Sequence, residues 1–186
     1  MSSKSTPVKT VEPDTQQRPG AIDAAAFIAL VPMRPYDVIG DVRSGHGNLT
    51  LPLARYAYGG KVYAIDTDQK ALDAIAEKAK QARLGNIECL LSKESSVPLD
   101  DGTLDGAVVA DALLGLSRPK PVIKEISRLL RKGGWLAVIA PIGSDQRGNG
   151  HRRTHEEALE LATEAGFKKT TARALTHELY LIVLTK

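Results

Sequence analysis

Two glycines and a carboxylate are the residues whose spacing could do chemistry together. Gly45 and Gly47 lie in the run Asp41-Val42-Arg43-Ser44-Gly45-His46-Gly47, just after the apolar pair Val38-Ile39. Glycine takes positive φ without steric cost and lets a ligand come close to the main chain. A helical pattern starts at Asn48, and the free N–H groups of a helix's first turn point back toward what precedes it. Asp66 follows about 20 residues beyond the glycines, at the end of a second strand-like run. A carboxylate there can accept two charge-assisted hydrogen bonds from a ribose diol. The stretch Ser92 to Val97 follows a third strand-like run, Ile87 to Leu91. Alone, a glycine turn is more often structural than functional, and an Asp ending a strand is a cap about as often as a contact. Set in this order at the carboxyl ends of successive strands, the three point to an adenosine-type ligand.

The elements that must hold these residues alternate regularly. Strands are expected at Asp37 to Asp41, Lys61 to Ile65, Ile87 to Leu91, Leu104 to Ala110 and Trp135 to Ala140. Between them, helices are expected at Asn48 to Tyr58, stopped by Gly59-Gly60, and at Gln69 to Arg83, capped by Asp68 and closed by Gly85. A further helix opens at Ser117 with Pro119, carries the stripe Val122, Ile123, Ile126, Leu129 and Leu130, and stops at Gly133-Gly134. Strand–helix alternation of this kind predicts a parallel sheet covered on both faces. The last part breaks the rhythm. Thr154-His155-Glu156-Glu157 is a capping box for a helix ending near Ala165-Gly166. Two strands, Lys168 to Leu175 and Glu178 to Leu184, then follow without a helix between them, so one must run antiparallel. Upstream, Ala21 to Leu30 reads as a short helix against the sheet edge or over the ligand.

Composition narrows the class. A chain of 186 residues with 42% apolar residues suits one domain with its own core. Residues 1–19 are polar and rich in Ser, Thr, Pro and Gln, which predicts a disordered tail ahead of a single domain over 20–186. No run approaches the ~18 apolar residues of a membrane span, and the N-terminus lacks a signal-peptide core, so a cytoplasmic protein is expected. The single Cys89 excludes an internal disulfide and reads as a small buried hydrophobe. A net charge of +3, with no basic stripe interleaved with aromatics, gives no reason to expect nucleic acid.

Taken together, the segments from about Arg34 to the C-terminus resemble the class I S-adenosylmethionine-dependent methyltransferases, in particular the small ones of the ubiquinone/menaquinone-biosynthesis type. The family's first motif, Asp-x-Gly-x-Gly-x-Gly, falls on Asp41, Arg43, Gly45 and Gly47. Its acidic ribose contact falls on Asp66 within KVYAIDTD, and its third-strand loop on Ser92-Lys93-Glu94. The runs Asp100 to Asp111 and Glu125 to Val138 resemble its fourth strand and the signature through its fifth. What the resemblance implies is a Rossmann-like seven-stranded sheet, order 3-2-1-4-5-7-6 with strand seven antiparallel and helices on both faces. It further implies S-adenosyl-L-methionine as cofactor, contacted by Asp41, Ser44, Gly45, Gly47, Asp66, Thr67, Lys93, Glu94 and Asp111, and a small-molecule methyl acceptor. No metal is implied and no catalytic base is singled out.

Three positions depart from the family pattern. Arg43 stands where the family has Gly, and brings a Cβ and a charge near the sulfonium. Lys93 stands where the family commonly has an Asp that accepts from the adenine amino group, and lysine has no acceptor. Leu114-Gly115 replaces a polar or histidine-bearing pair. These departures keep open a second class of function, a methyltransferase-like fold that no longer catalyses and serves as a binding or scaffold subunit. A nicotinamide-dependent oxidoreductase fits less well, because Thr50 stands where its turn needs a third glycine.

The remaining candidates read blandly. His46 occupies a variable slot of the turn. His151 and His155 flank Arg152-Arg153 in a polar loop, without the carboxylate or Cys spacing of a metal site. Tyr36, Tyr56, Tyr58 and Tyr63 read as core or edge packing. The acceptor pocket would be built from Ala21 to Met33 and Pro141 to Arg153. Both are short, which leaves room for a partner, a homodimer included, to complete it.

Overall fold

A computed structural model describes residues 22–110, 118–142 and 155–186. The tail 1–19, Ala21, Asp111, Leu114-Gly115, Ser117, His151, Arg152-Arg153 and Thr154 lie outside the described residues. The elements are α1 (Ala24–Ile28), β1 (Val38–Val42), α2 (Thr50–Tyr56), β2 (Lys61–Asp66), α3 (Gln69–Gln81), β3 (Ile87–Leu91), β4 (Leu104–Ala110), α4 (Pro119–Leu129), β5 (Leu130–Pro141), α5 (His155–Glu164), β6 (Lys168–Ala174) and β7 (Leu179–Thr185).

The seven strands form one sheet in the order β3-β2-β1-β4-β5-β7-β6. β1 pairs parallel with β2 and β4, β2 with β3, and β4 with β5. β7 runs antiparallel to both β5 and β6. Side chains alternate cleanly between the two faces, as they must along strands covered on both sides. Val108, Ala137, Ile139, Leu181 and Val183 pack with Phe27 and Leu53 of α1 and α2. Ala107, Val109, Leu136, Val138, Ile182 and Leu184 pack with Ile123, Ile126 and Ala158 of α4 and α5. Ala64 meets Leu72 and Ile75 of α3 on the α2 side.

Local chemistry fixes where elements start and stop. The Asp23 carboxylate caps α1 by accepting from the N–H groups of Ala25 and Ala26, so that helix starts later than Ala21. Asp68 caps α3 as expected. That helix is closed by Arg83, at φ 55°, and not by Gly85. The N–H of Leu84 reaches the Ala79 carbonyl and that of Arg83 the Lys80 carbonyl, a paired reverse closure that needs one left-handed residue. Asn86 donates to the carbonyls of Ala54 and Ala57, which ends α2 short of Tyr58. β5 begins at Leu130, before the glycine pair, because Leu130 already pairs with Leu104. The register then skips to Gly106–Trp135, so Gly133-Gly134 lie in a strand irregularity and not at a helix stop.

The connection between β3 and β4 carries no helix. Its loop folds on itself through a Lys93–Ser96 bridge. Arg128 of α4 holds the following residues. Its guanidinium donates to the carbonyls of Val97 and Leu99, to Asp101 and to Glu125, and Glu125 in turn accepts from the Val97 N–H.

The tyrosines divide between edge and core. Tyr36 and Tyr58 are 70% and 69% exposed and meet edge to face at 5.9 Å, at the rim where the strands begin. Tyr63 alone of the four is half-buried against the core. Cys89 is half-buried beneath α3, with burial pushing its thiol pKa up, as for an inert side chain.

Candidate functional site

The turn after β1 is built by continuing the sheet one step past its last residue. The N–H groups of Arg43 and Ser44 both reach the Ile65 carbonyl, at 2.7 and 3.2 Å. The chain then reverses, with the Gly47 N–H on the Ser44 carbonyl at 3.0 Å. Arg43, Gly45 and Gly47 all have positive φ, of 63°, 52° and 81°. The two glycines are needed for different reasons. A Cβ on Gly47 would stand 2.8 Å from Ile75 Cγ1 of α3, so that glycine lets turn and helix pack. A Cβ on Gly45 would meet nothing within 4 Å, so the main chain there faces open space. Beside it, the Ser44 hydroxyl is buried with no hydrogen-bond partner. From α3, Lys78 Nζ donates to the His46 carbonyl at 2.7 Å and steadies the turn from below.

Two carboxylates stand beneath and beside this turn. Asp41 is buried and accepts from the Thr50 hydroxyl at 2.5 Å, which joins the end of β1 to the start of α2. Burial, reinforced by the charge of Asp66, pushes its pKa up to about 6. Asp66 ends β2 and reaches across to the turn. Its Oδ2 accepts from the Gly45 N–H at 2.9 Å, and its Oδ1 from the N–H groups of Thr67 and Asp68 at 2.7 and 3.1 Å. A carboxylate offers about four lone-pair sites. With three used, the fourth is open to a ligand hydroxyl, and releasing Gly45 would open another.

The β3 loop forms the other wall. Ser92 donates through both N–H and hydroxyl to the Asp66 carbonyl, so its hydroxyl oxygen keeps its acceptor capacity. A shallow open cleft runs from here under the loop to α4. Its floor is apolar, from Val42, Ile65, Val122 and Ile126, while Arg43, Lys93, Glu94 and Ser95 line it as charged or polar groups. An apolar floor with a polar rim is the surface an aromatic base would fill.

The structure thus brings together Asp41, Ser44, Gly45, Gly47, Asp66 and Thr67 at the carboxyl ends of β1 and β2. Lys93 and Glu94 are exposed on the cleft's rim. Arg43 stands at the edge of the cleft, its Nη1 donating to the Thr67 hydroxyl at 2.9 Å. The Glu125–Arg128 pair and Thr50 are site supports that motif reading missed. A Glu and an Arg three apart on one helix face was the signal for the pair. His155 stands at the helix start that the capping box predicts. It opens α5 and stacks on Tyr180 of β7 with ring centroids 4.2 Å apart.

A model of the methyltransferase domain matches residues 40–138, more than half of the chain. The chain is 31% identical over 110 residues to a demethylmenaquinone methyltransferase of Symbiobacterium thermophilum, covering 58% of this chain and 44% of that protein. It is 26% identical over 158 residues to a sarcosine/dimethylglycine N-methyltransferase of Halorhodospira halochloris, covering 78% and 56%. The chain therefore spans roughly half the length of these relatives. Among solved structures, a SAM-dependent methyltransferase from Aquifex aeolicus superposes with a TM-score of 0.83 at 23% identity, over 92% of this chain and 94% of that one.

Proposed function

Because the chain belongs to the class I S-adenosylmethionine-dependent methyltransferase family, we propose that it transfers a methyl group in line to a small-molecule acceptor. One observation carries this reading. The turn glycine and the strand-end carboxylate, far apart in sequence, meet at 2.9 Å through the Gly45 N–H and Asp66 Oδ2, beside open space at Gly45. That is a seat for a ribose held against bare main chain.

The orphaned Ser44 hydroxyl and the open face of Gly45 fit an adenosyl ligand. When bound, S-adenosylmethionine supplies a methyl group already activated by its sulfonium, so the protein's task is chiefly to hold and orient. Asp66 would accept from the ribose. Gly45 and Gly47 let the main chain come close. The Ser92 to Ser95 loop would meet the adenine, with the Ser92 oxygen able to accept from the amino group where Lys93 cannot. Asp41 fixes the turn through Thr50 and would bias the methionine end electrostatically. Asp111, next in sequence after β4, keeps the cofactor contact that the family resemblance implies. The relatives named above are called after a quinone precursor and small amines, which supports a small-molecule acceptor here.

A second reading rests on Arg43 and Lys93. With no acceptor at Lys93 and a cation at Arg43, the same fold would serve as a non-catalytic binding subunit. Calorimetry with S-adenosylhomocysteine separates the two. Methyl transfer requires micromolar binding that Asp66→Ala weakens by at least tenfold. The absence of heat at millimolar ligand would leave only the scaffold reading.

A further inference from the structure

The glycine turn of this chain carries a permanent positive charge. Arg43 occupies a glycine position of the motif and holds a φ of 63°, which disfavours any residue with a Cβ. A non-glycine residue kept in that conformation at a ligand turn is a pointer to function. Its guanidinium is tied to the Thr67 hydroxyl, beside the carboxylate that would hold the ribose, and it lines the same cleft. It cannot be deprotonated. Among the described residues its side-chain partner is this neutral hydroxyl and not a carboxylate. Neutral donors hold the nearby carboxylates, three backbone N–H groups on Asp66 and the Thr50 hydroxyl on buried Asp41, so no hydrogen bond joins either to Arg43. Glu125 is consumed by Arg128 and the Val97 N–H. Lys93 adds a second cation to the rim, with Glu94 as the neighbouring anion.

We propose that Arg43 is a specificity-determining residue that makes the site discriminate by charge at sulfur, favouring neutral S-adenosylhomocysteine over cationic S-adenosylmethionine. This rests on the methyl-transfer reading above. The two ligands share adenine, ribose and amino-acid groups, and differ by one methyl and one positive charge. A fixed cation on the turn therefore acts on the difference alone. Two unit charges about 10 Å apart at an effective dielectric near 20 shift a dissociation constant by about tenfold. Salt weakens this, since screening sets in over about 10 Å at 0.1 M.

The test is the ratio of Kd for S-adenosylmethionine to Kd for S-adenosylhomocysteine, measured by calorimetry on the full chain. Arg43→Gln removes the charge and keeps most of the length. Arg43→Gly removes the charge and relaxes the backbone. The ratio should exceed one in the wild type and fall about tenfold in both variants. It should also shrink in the wild type as salt rises from about 0.05 to about 0.5 M. An unchanged ratio in both variants overturns the charge proposal and leaves methyl transfer standing. Failure of all three proteins to bind either ligand overturns both.

Discussion

Asp41 shows what one residue contributes to the site's foundations. Its folded pKa, near 6, lies above its ordinary value of 3.8 because burial disfavours the charge. The native state therefore binds its proton more tightly than the unfolded chain does. The contribution of Asp41 to stability falls as pH rises from about 4 to about 6, and stays lowered above that, by about 3 kcal/mol for a two-unit shift. In urea melts, Asp41→Asn should flatten that slope. Thr50→Val should cost about 1–3 kcal/mol at pH 7, since the ionised carboxylate then loses its hydroxyl donor. The loss should be smaller at pH 5, where Asp41 is largely protonated. Asp41 was legible from its place in the motif, but Thr50 was not. Its hydroxyl matters only because α2 begins directly above the end of β1, a three-dimensional fact with no local pattern. The Thr67 partner of Arg43 was equally hidden, since it depends on where that residue stands in the neighbouring loop.

At the scale of elements, the turn and the β3 loop are held by different means, and substitutions should separate them. Gly47→Ala drives a Cβ into Ile75 in addition to straining a positive φ, and should cost about 2 kcal/mol of stability. Gly45→Ala meets no neighbour, so it should cost about 1 kcal/mol, yet weaken S-adenosylhomocysteine binding at least tenfold by closing the open main chain. Thermal melts and calorimetry on both variants check the contrast. Arg128→Ala should release the loop between β3 and β4 from α4. Losing bonds to two carbonyls and a carboxylate should cost about 2–3 kcal/mol. Proteolysis within residues 92–101 should quicken accordingly. Helix and strand periods announced most elements, but their ends depended on tertiary bonds. Asn86 ends α2, Arg83 closes α3 in a role usually left to glycine, and Leu130 joins β5 early by pairing with Leu104.

For the whole molecule, alternation of strand and helix and the final hairpin were enough to read a parallel sheet with one reversed strand. The order of the strands came from the resemblance, since nothing in a strand's own residues says which neighbour it will take. What sequence could not say is how the two faces share their load. The β3–β4 connection has no helix, so the cleft on the α4 side is roofed by a loop. Tyr36 and Tyr58 read as packing residues, yet they stand in solvent at the opposite rim because the chain turns there before β1 and β2 enter the core. His155 was legible at the start of α5, but its stacking against β7 was not, because that depends on where Tyr180 stands. Ligand binding should also be visible globally. S-adenosylhomocysteine at 100 times its Kd should stabilise the fold by about 2.7 kcal/mol, read as a rise in Tm.

The most direct measurement is a crystal structure of the chain with S-adenosylhomocysteine. The ribose hydroxyls should lie about 2.6–3.2 Å from the Asp66 carboxylate, with the ligand crossing the open face of Gly45. A complex in which Asp66 keeps all three backbone N–H groups and the nucleoside lies away from the turn would contradict it.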